Sequence, residues 1–155
     1  MRRMLSAGLV LWAGALAVPR VPVSDPYAAE PPCRPDTRVA RLESFFASYR
    51  SPVAPLAADF IAAADQHDLD WRLLPSIAMV ESSGGKYFAN NNIFGWDSCR
   101  TGFASVREGI YFVAARLANS ELYRGKELEQ ILRVYNPAPD YDDRVMRFMD
   151  LLRTP

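Results

Sequence analysis

One histidine and two cysteines in 155 residues leave the chain without a Cys/His cluster of metal-ligand spacing, so no zinc site is expected. The single histidine, His67, sits beside Asp68 at the polar-leaning end of a helical segment, where a solvated role is expected. No glycine-rich phosphate loop and no nucleophilic Ser-His pair is present, and no cofactor is expected. Runs of Lys or Arg are missing as well. With 18 basic and 18 acidic residues the formal net charge is zero, which argues against nucleic acid as a partner. No stretch alternates convincingly as a strand and no internal repeat is visible, so the predicted class is mostly α. Half the residues are apolar and 12% aromatic, enough for the core of one domain.

No apolar run reaches the roughly 20 residues of a bilayer-spanning helix. The longest covers Met4 to Ala17, follows Arg2-Arg3 and ends in Ala15-Leu16-Ala17. Residues 1–17 therefore read as an export signal cleaved after Ala17, giving a periplasmic or extracellular protein; an uncleaved anchor is the alternative, since Val18-Pro19 is a poor start for a mature chain. Cleavage would leave 16 basic against 18 acidic residues, a charge of −2. Residues 18–35 hold six of the twelve prolines and little apolar periodicity, and read as an extended tether before a domain over 36–155. Cys33 and Cys99 both fall in the exported part, where an oxidising compartment would permit a bridge; two free thiols are the alternative.

Within the domain, helical signals follow one another with short breaks. Asp36 or Thr37 can cap a helix with Val39, Leu42, Phe46 and Tyr49 on its apolar face, and Pro52 to Pro55 separates it from one carrying Leu56, Phe60 and Ala64. In the next, either Asp70 is the cap and Pro75 a kink, or Pro75 opens the helix at its first position. Lys86 to Ala104, with Asn90-Asn91-Asn92, Gly95 and Gly102, is predicted to be a loop region holding a short β-hairpin around Ile93 to Trp96. Ser105 and Glu108 form a capping box before Ile110, Val113, Ala114 and Leu117. Leu128, Ile131, Leu132 and Tyr135 mark a further helix ended by Asn136-Pro137, and Asp140 can cap the last, with Val145, Phe148, Met149 and Leu152.

Glu81 stands out against this background. It closes the apolar helix Leu73 to Ser83 just before Gly84-Gly85, a pair suited to a left-handed stop, and shares a face with Ile77 and Ala78. Desolvation by apolar neighbours and the partial negative charge of a helix C-terminus both disfavour an ionised carboxyl, so the position suits a proton donor. A solvated surface carboxylate is the ordinary alternative.

Asp70-Trp71-Arg72-Leu73-Leu74-Pro75-Ser76-Ile77-Ala78-Met79-Val80-Glu81-Ser82-Ser83 resembles the catalytic helix of the lysozyme-like superfamily, in particular of lytic transglycosylases and bacterial endo-β-N-acetylglucosaminidases. Three later segments agree in order: Asn91-Asn92-Ile93-Phe94-Gly95-Trp96 is similar to the N-x-F-G loop of the glucosaminidase branch, Ser105 to Leu117 to the capped helix after it, and Tyr135-Asn136-Pro137 with Tyr141 and Val145 to the tyrosine segment that closes the cleft. The resemblance spans Asp70 to Leu152 and implies a lysozyme-like helical domain with a small loop or β-hairpin lobe. It departs from the pattern at Asn136-Pro137, where transglycosylases tend to carry Ala and Gly.

The resemblance implies a peptidoglycan glycan strand as substrate and partner, cut by a monomer that needs no cofactor. Glu81 would protonate the leaving oxygen and Tyr135 would stand by the scissile sugar. Ser82, Asn92, Phe94, Trp96, Asn136 and Tyr141 would hold or flank the substrate, the aromatics by stacking on sugar faces. Read without the resemblance, Tyr135 is a core tyrosine, Phe94 and Trp96 are loop anchors, the asparagines are turn formers and Ser82 bonds backbone. Glycosidases commonly pair two carboxylates, and among Asp97, Glu108, Asp140, Asp142 and Asp143 no second one can be assigned; Glu108 and Asp140 are explained by capping. That gap fits a substrate group acting as nucleophile, and leaves open hydrolysis or anhydro-product formation. It also leaves two alternatives: a non-catalytic wall-binding or scaffold module, and an enzyme acting on another N-acetylglucosamine polymer such as chitin.

Overall fold

The structure, a computed structural model, describes residues 35–153. The expected signal, Cys33 and all of the tether but Pro35 lie outside the described residues. Six α-helices follow in order: α1 Thr37–Ser48, α2 Ala57–Gln66, α3 Leu73–Ser82, α4 Val106–Asn119, α5 Leu128–Tyr135 and α6 Tyr141–Arg153. Short 3-10 turns occupy Ala54–Leu56 and Trp96–Cys99. The described residues are mostly helical and contain no strand, and none of their helices is long and apolar enough to cross a membrane.

Local chemistry sets the helix ends. Asp36 accepts from the Arg38 backbone N–H at 2.9 Å and starts α1, while Ser105 accepts from the Glu108 N–H at 3.1 Å and starts α4. The Glu108 carboxylate reaches back one residue further than in the usual box, to the Ala104 N–H at 2.6 Å. The Gln130 side chain accepts from the Glu127 N–H at 3.1 Å to open α5. Asp140 precedes α6 with φ 58°, and its carbonyl accepts from the Arg144 N–H at 3.0 Å.

Neither expected start of α3 holds. The Asp70 carboxylate accepts from the Arg72 N–H at 2.9 Å, tightening the turn ahead of the helix, and α3 begins at Leu73. Pro75 falls third in the helix. There its missing N–H would have had no partner in any case, so it neither kinks nor opens α3.

Every residue from Leu73 to Met79 is buried, so α3 runs through the core instead of lying on it. It packs chiefly against α6, and α2 packs chiefly against α4. Leu42 and Phe46 from α1, Phe60 from α2, and Val145 and Leu152 from α6 complete the interior. With no exposed face through its first two turns, α3 has nowhere to carry a charge until its end, where Glu81 and Ser82 stand. Ile77→Val is expected to cost about 1 kcal/mol of stability and Ile77→Ala about 2–5 kcal/mol, read from urea unfolding. An Ala variant melting at the wild-type midpoint would remove α3 from the core.

Candidate active site

The end of α3 is a reversal made of three left-handed residues, Ser83 (φ 54°), Gly84 (φ 70°) and Gly85 (φ 79°). The stop thus begins one residue before the glycine pair. The Ser83 N–H reaches back to the Ala78 carbonyl, the five-residue span expected of such a helix terminus, and the Gly84 N–H reaches the same carbonyl at 3.0 Å. The Ser82 hydroxyl donates to the Ala78 carbonyl at 3.0 Å and accepts from the Gly85 N–H at 2.8 Å. Ser82 is 3% exposed and fully engaged in the turn, which corrects its expected substrate contact.

Residues 86–104 fold back as a loop lobe. The expected hairpin at Ile93 to Trp96 is absent: the lobe has one isolated antiparallel bridge, Ala89 to Asn92, and then the 3-10 turn. Asn90 and Asn91, at φ 54° and 56°, form the tight turn inside that bridge, and left-handed backbone at Gly95 (62°), Asp97 (51°) and Ser98 (53°) stops any strand from continuing through Ile93 to Trp96. Asparagine side chains supply the ties that a ladder would give. Asn91 Nδ2 donates to the Phe103 carbonyl at 2.9 Å. Asn92 Nδ2 donates to the carbonyls of Trp96 and Thr101, both at 2.9 Å, and its Oδ1 accepts from the Trp96 N–H at 3.0 Å. At 1% exposure Asn92 holds the loop and not a sugar. Phe94 is corrected likewise: it is wholly buried and packs on Phe60, ring centres 6.2 Å apart, because the Ile93-Phe94 pair anchors the lobe in the core.

That anchoring sets Gly95 directly against Glu81. A Cβ built at Gly95 would lie 2.6 Å from Glu81 Oε2, so only a residue without a side chain allows the contact. Glu81 is half-buried, above the wholly buried Ile77 and Ala78, and Asn136 Nδ2 donates to its Oε1 across 3.4 Å. Both carboxylate oxygens are thereby positioned from outside α3, one by the loop lobe and one by the residue that ends α5.

The carboxylate forms part of the wall of a cavity of about 690 Å³. Gly95 to Ser98 and Thr101 from the lobe, Phe112 and Arg116 from α4, Leu122 and Tyr123, and Val134 to Pro137 complete it. Trp96 is half-buried and stands edge-on to Phe112 (5.9 Å) and Tyr135 (5.8 Å), leaving part of its indole to the cavity. The Tyr135 hydroxyl donates to the Phe94 carbonyl at 2.7 Å. Its proton is committed to the lobe, so Tyr135 offers a substrate its ring and its oxygen lone pairs. Burial, and then the nearby Glu81 carboxylate, push its phenol well above the ordinary range.

Tyr141 stacks on Tyr135, ring centres 6.1 Å apart and planes at 13°. It is 1% exposed and does not line the cavity, so the expected direct sugar contact is corrected: it backs Tyr135. Burial and the Glu81 charge push its phenol strongly upward, yet its hydroxyl makes no hydrogen bond of normal geometry among the described residues.

Of the five other carboxylates considered, Asp97 alone shares the cavity wall with Glu81. Arg100 binds it at 2.6 Å and keeps its carboxyl below the usual range, and the Thr101 hydroxyl donates to it at 3.2 Å. Asp142 is paired with Arg133 at 2.7 Å, and Glu108 caps α4. Asp140 and Asp143 lie at the start of α6. His67 ends α2 and is not on the cavity wall. Cys99 is half-buried in the lobe and has no disulfide partner among the described residues. No group of three or more His, Cys, Asp or Glu among the described residues could hold a metal ion. No family model, curated protein or solved structure matches the chain.

Sequence reasoning passed over Phe112, Arg116, Leu122, Tyr123 and Val134. One signal was available. Phe112 and Arg116, four apart, share a face of α4 that lies off the stripe of Ile110, Val113, Ala114 and Leu117, and a large aromatic off the apolar stripe has no role in the core.

Two outcomes are expected here. Asn92→Ala should cost about 2–3 kcal/mol in thermal or urea unfolding, since it leaves two carbonyls and an N–H without partners. Gly95→Ala should leave far-UV circular dichroism unchanged while a crystal structure shows the Glu81 carboxylate displaced; the substitution itself costs about 1 kcal/mol or more for a left-handed alanine.

Proposed function

We propose that the protein cleaves the glycan strand of peptidoglycan by general-acid catalysis from Glu81. The observation that carries this is a single carboxyl at the end of a buried helix, held from two sides, with its oxygens on the wall of a cavity large enough for sugar rings. The likeness of Asp70 to Ser83 and of the later segments to lytic transglycosylases and endo-β-N-acetylglucosaminidases points the same way.

Glu81 in its acid form would donate a proton to the glycosidic oxygen as the bond to the anomeric carbon breaks. Positive charge then develops on the ring being released. Trp96 and Tyr135 line the cavity where that ring would lie, and aromatic rings offer faces that stack on the apolar C–H faces of sugars. Asp97 is the one other carboxylate on the wall, committed to Arg100 and Thr101. A nucleophile supplied by the substrate, either the acetamido oxygen or a hydroxyl of the same sugar, would therefore complete the reaction. Capture by water gives hydrolysis; capture by the sugar's own hydroxyl gives an anhydro end.

Purified protein is expected to release soluble fragments from peptidoglycan, and Glu81→Gln to lower the rate by about 10²-fold or more while still sedimenting with insoluble wall. Mass spectrometry of the fragments reads the mechanism from their termini: reducing N-acetylglucosamine, reducing N-acetylmuramic acid, or anhydro sugar. Equal turnover by the variant would remove Glu81 from the chemistry. Wall binding with no new termini would make the protein a glycan-binding module.

A further inference from the structure

The cavity whose wall holds the Glu81 carboxylate is also lined by Arg116 of α4. Three observations bear on this residue. It is exposed, it is the arginine on the cavity wall, and, like Arg41, Arg50 and Arg144 elsewhere, it makes no ion pair among the described residues. Its guanidinium carbon lies 6.0 Å from the centre of the Phe112 ring, one helical turn earlier on the same face. Stacking of this kind restrains the planar group without using its N–H donors. The surface beside it is apolar: Phe112, Leu122 and Val134 are 37%, 56% and 36% exposed and all line the cavity. Tyr123, buried, lines the same wall, and the Arg116 charge partly offsets the rise that burial gives its phenol.

A neutral polysaccharide would gain little from an unpaired guanidinium. A carboxylate would gain a two-pronged, charge-assisted pair at the edge of a low-dielectric surface. We propose that Arg116, braced on Phe112, is a specificity-determining residue that binds a carboxylate on a substituent of the amino-sugar polymer, with Leu122 and Val134 covering the apolar part of that substituent. The site would then favour an acid-bearing glycan, such as a peptide-substituted strand, over a neutral N-acetylglucosamine polymer. The proposal rests on the glycan-cleavage reading above and adds which member of that substrate class the cavity selects.

The test uses soluble peptide-bearing glycan fragments, in native form and with their carboxyls converted to neutral methylamides, with the full chain as wild type, Arg116→Gln and Arg116→Lys. Binding is followed by calorimetry and cleavage by fragment release. Wild type is expected to prefer the native fragments by about tenfold in KM and in Kd, the preference weakening with added salt. Arg116→Gln should bring the preference close to one, and Arg116→Lys, a cation without the fork, should keep only part of it. Arg116 is exposed, and circular dichroism verifies that each variant is folded. An unchanged preference in Arg116→Gln, or no preference in wild type, overturns the assignment while leaving glycan cleavage intact. Arg116-dependent binding of the native form without cleavage of either substrate supports the subsite and overturns the catalytic reading. No binding of either form overturns both.

Discussion

Everything at the cavity depends on the backbone of Gly95 touching the carboxylate of Glu81, an approach that any side chain would block. Three sets of bonds hold it. Ser82 and the left-handed turn after it fix where α3 stops, Asn92 fixes the path of residues 96–101, and Tyr135 ties the Phe94 carbonyl to α5. None of these side chains needs to touch a ligand for the site to require it. Their shared effect is to bring the loop lobe and the end of α5 up to the Glu81 carboxylate.

The rest of the cavity is built on a different principle. The apolar stripes of α4 and α5 are spent on the core, and the wall takes what remains: Phe112 and Arg116 from the outer side of α4, Val134 from that of α5. A helix can serve core and cavity together because opposite sides of it answer to different constraints. The outcome is a cavity whose wall carries a carboxylate, aromatic rings and a cation with no ion pair among the described residues, an arrangement better suited to a partly charged ligand with ring faces than to a compact apolar one.

Much of this is legible in the residues. The α-class, the caps Asp36 and Ser105, the stop at Asn136-Pro137 and the burial of Ile77 and Ala78 beneath Glu81 follow from periodicity and capping chemistry, which act over four residues or fewer. Where contacts reach further, local signals mislead. A run such as Ile93-Phe94-Gly95-Trp96 has strand-like composition, yet Phe94 is drawn into the core by Phe60, 34 positions away, and left-handed backbone at Gly95, Asp97 and Ser98 interrupts any strand. Pro75 carries a strong helix-breaking signal that its place in the first turn silences. Asn92, Phe94 and Ser82 occupy the expected segment but serve its construction. Whether an asparagine in such a loop faces a ligand or its own backbone is decided by partners that no spacing rule contains.

The lobe is fastened by side chains bonding to backbone carbonyls, by one isolated bridge, and by Ile93 and Phe94, which are wholly buried in the helical core. Local opening is cheap only where few apolar groups are buried, and this segment is rooted in the interior. Release of residues 86–104 would draw Phe94 away from Phe60, so Gly95, Trp96 and Asp97 leave the cavity only when the core itself is disturbed. The working surface and the scaffold therefore share one stability, and warming erodes both together.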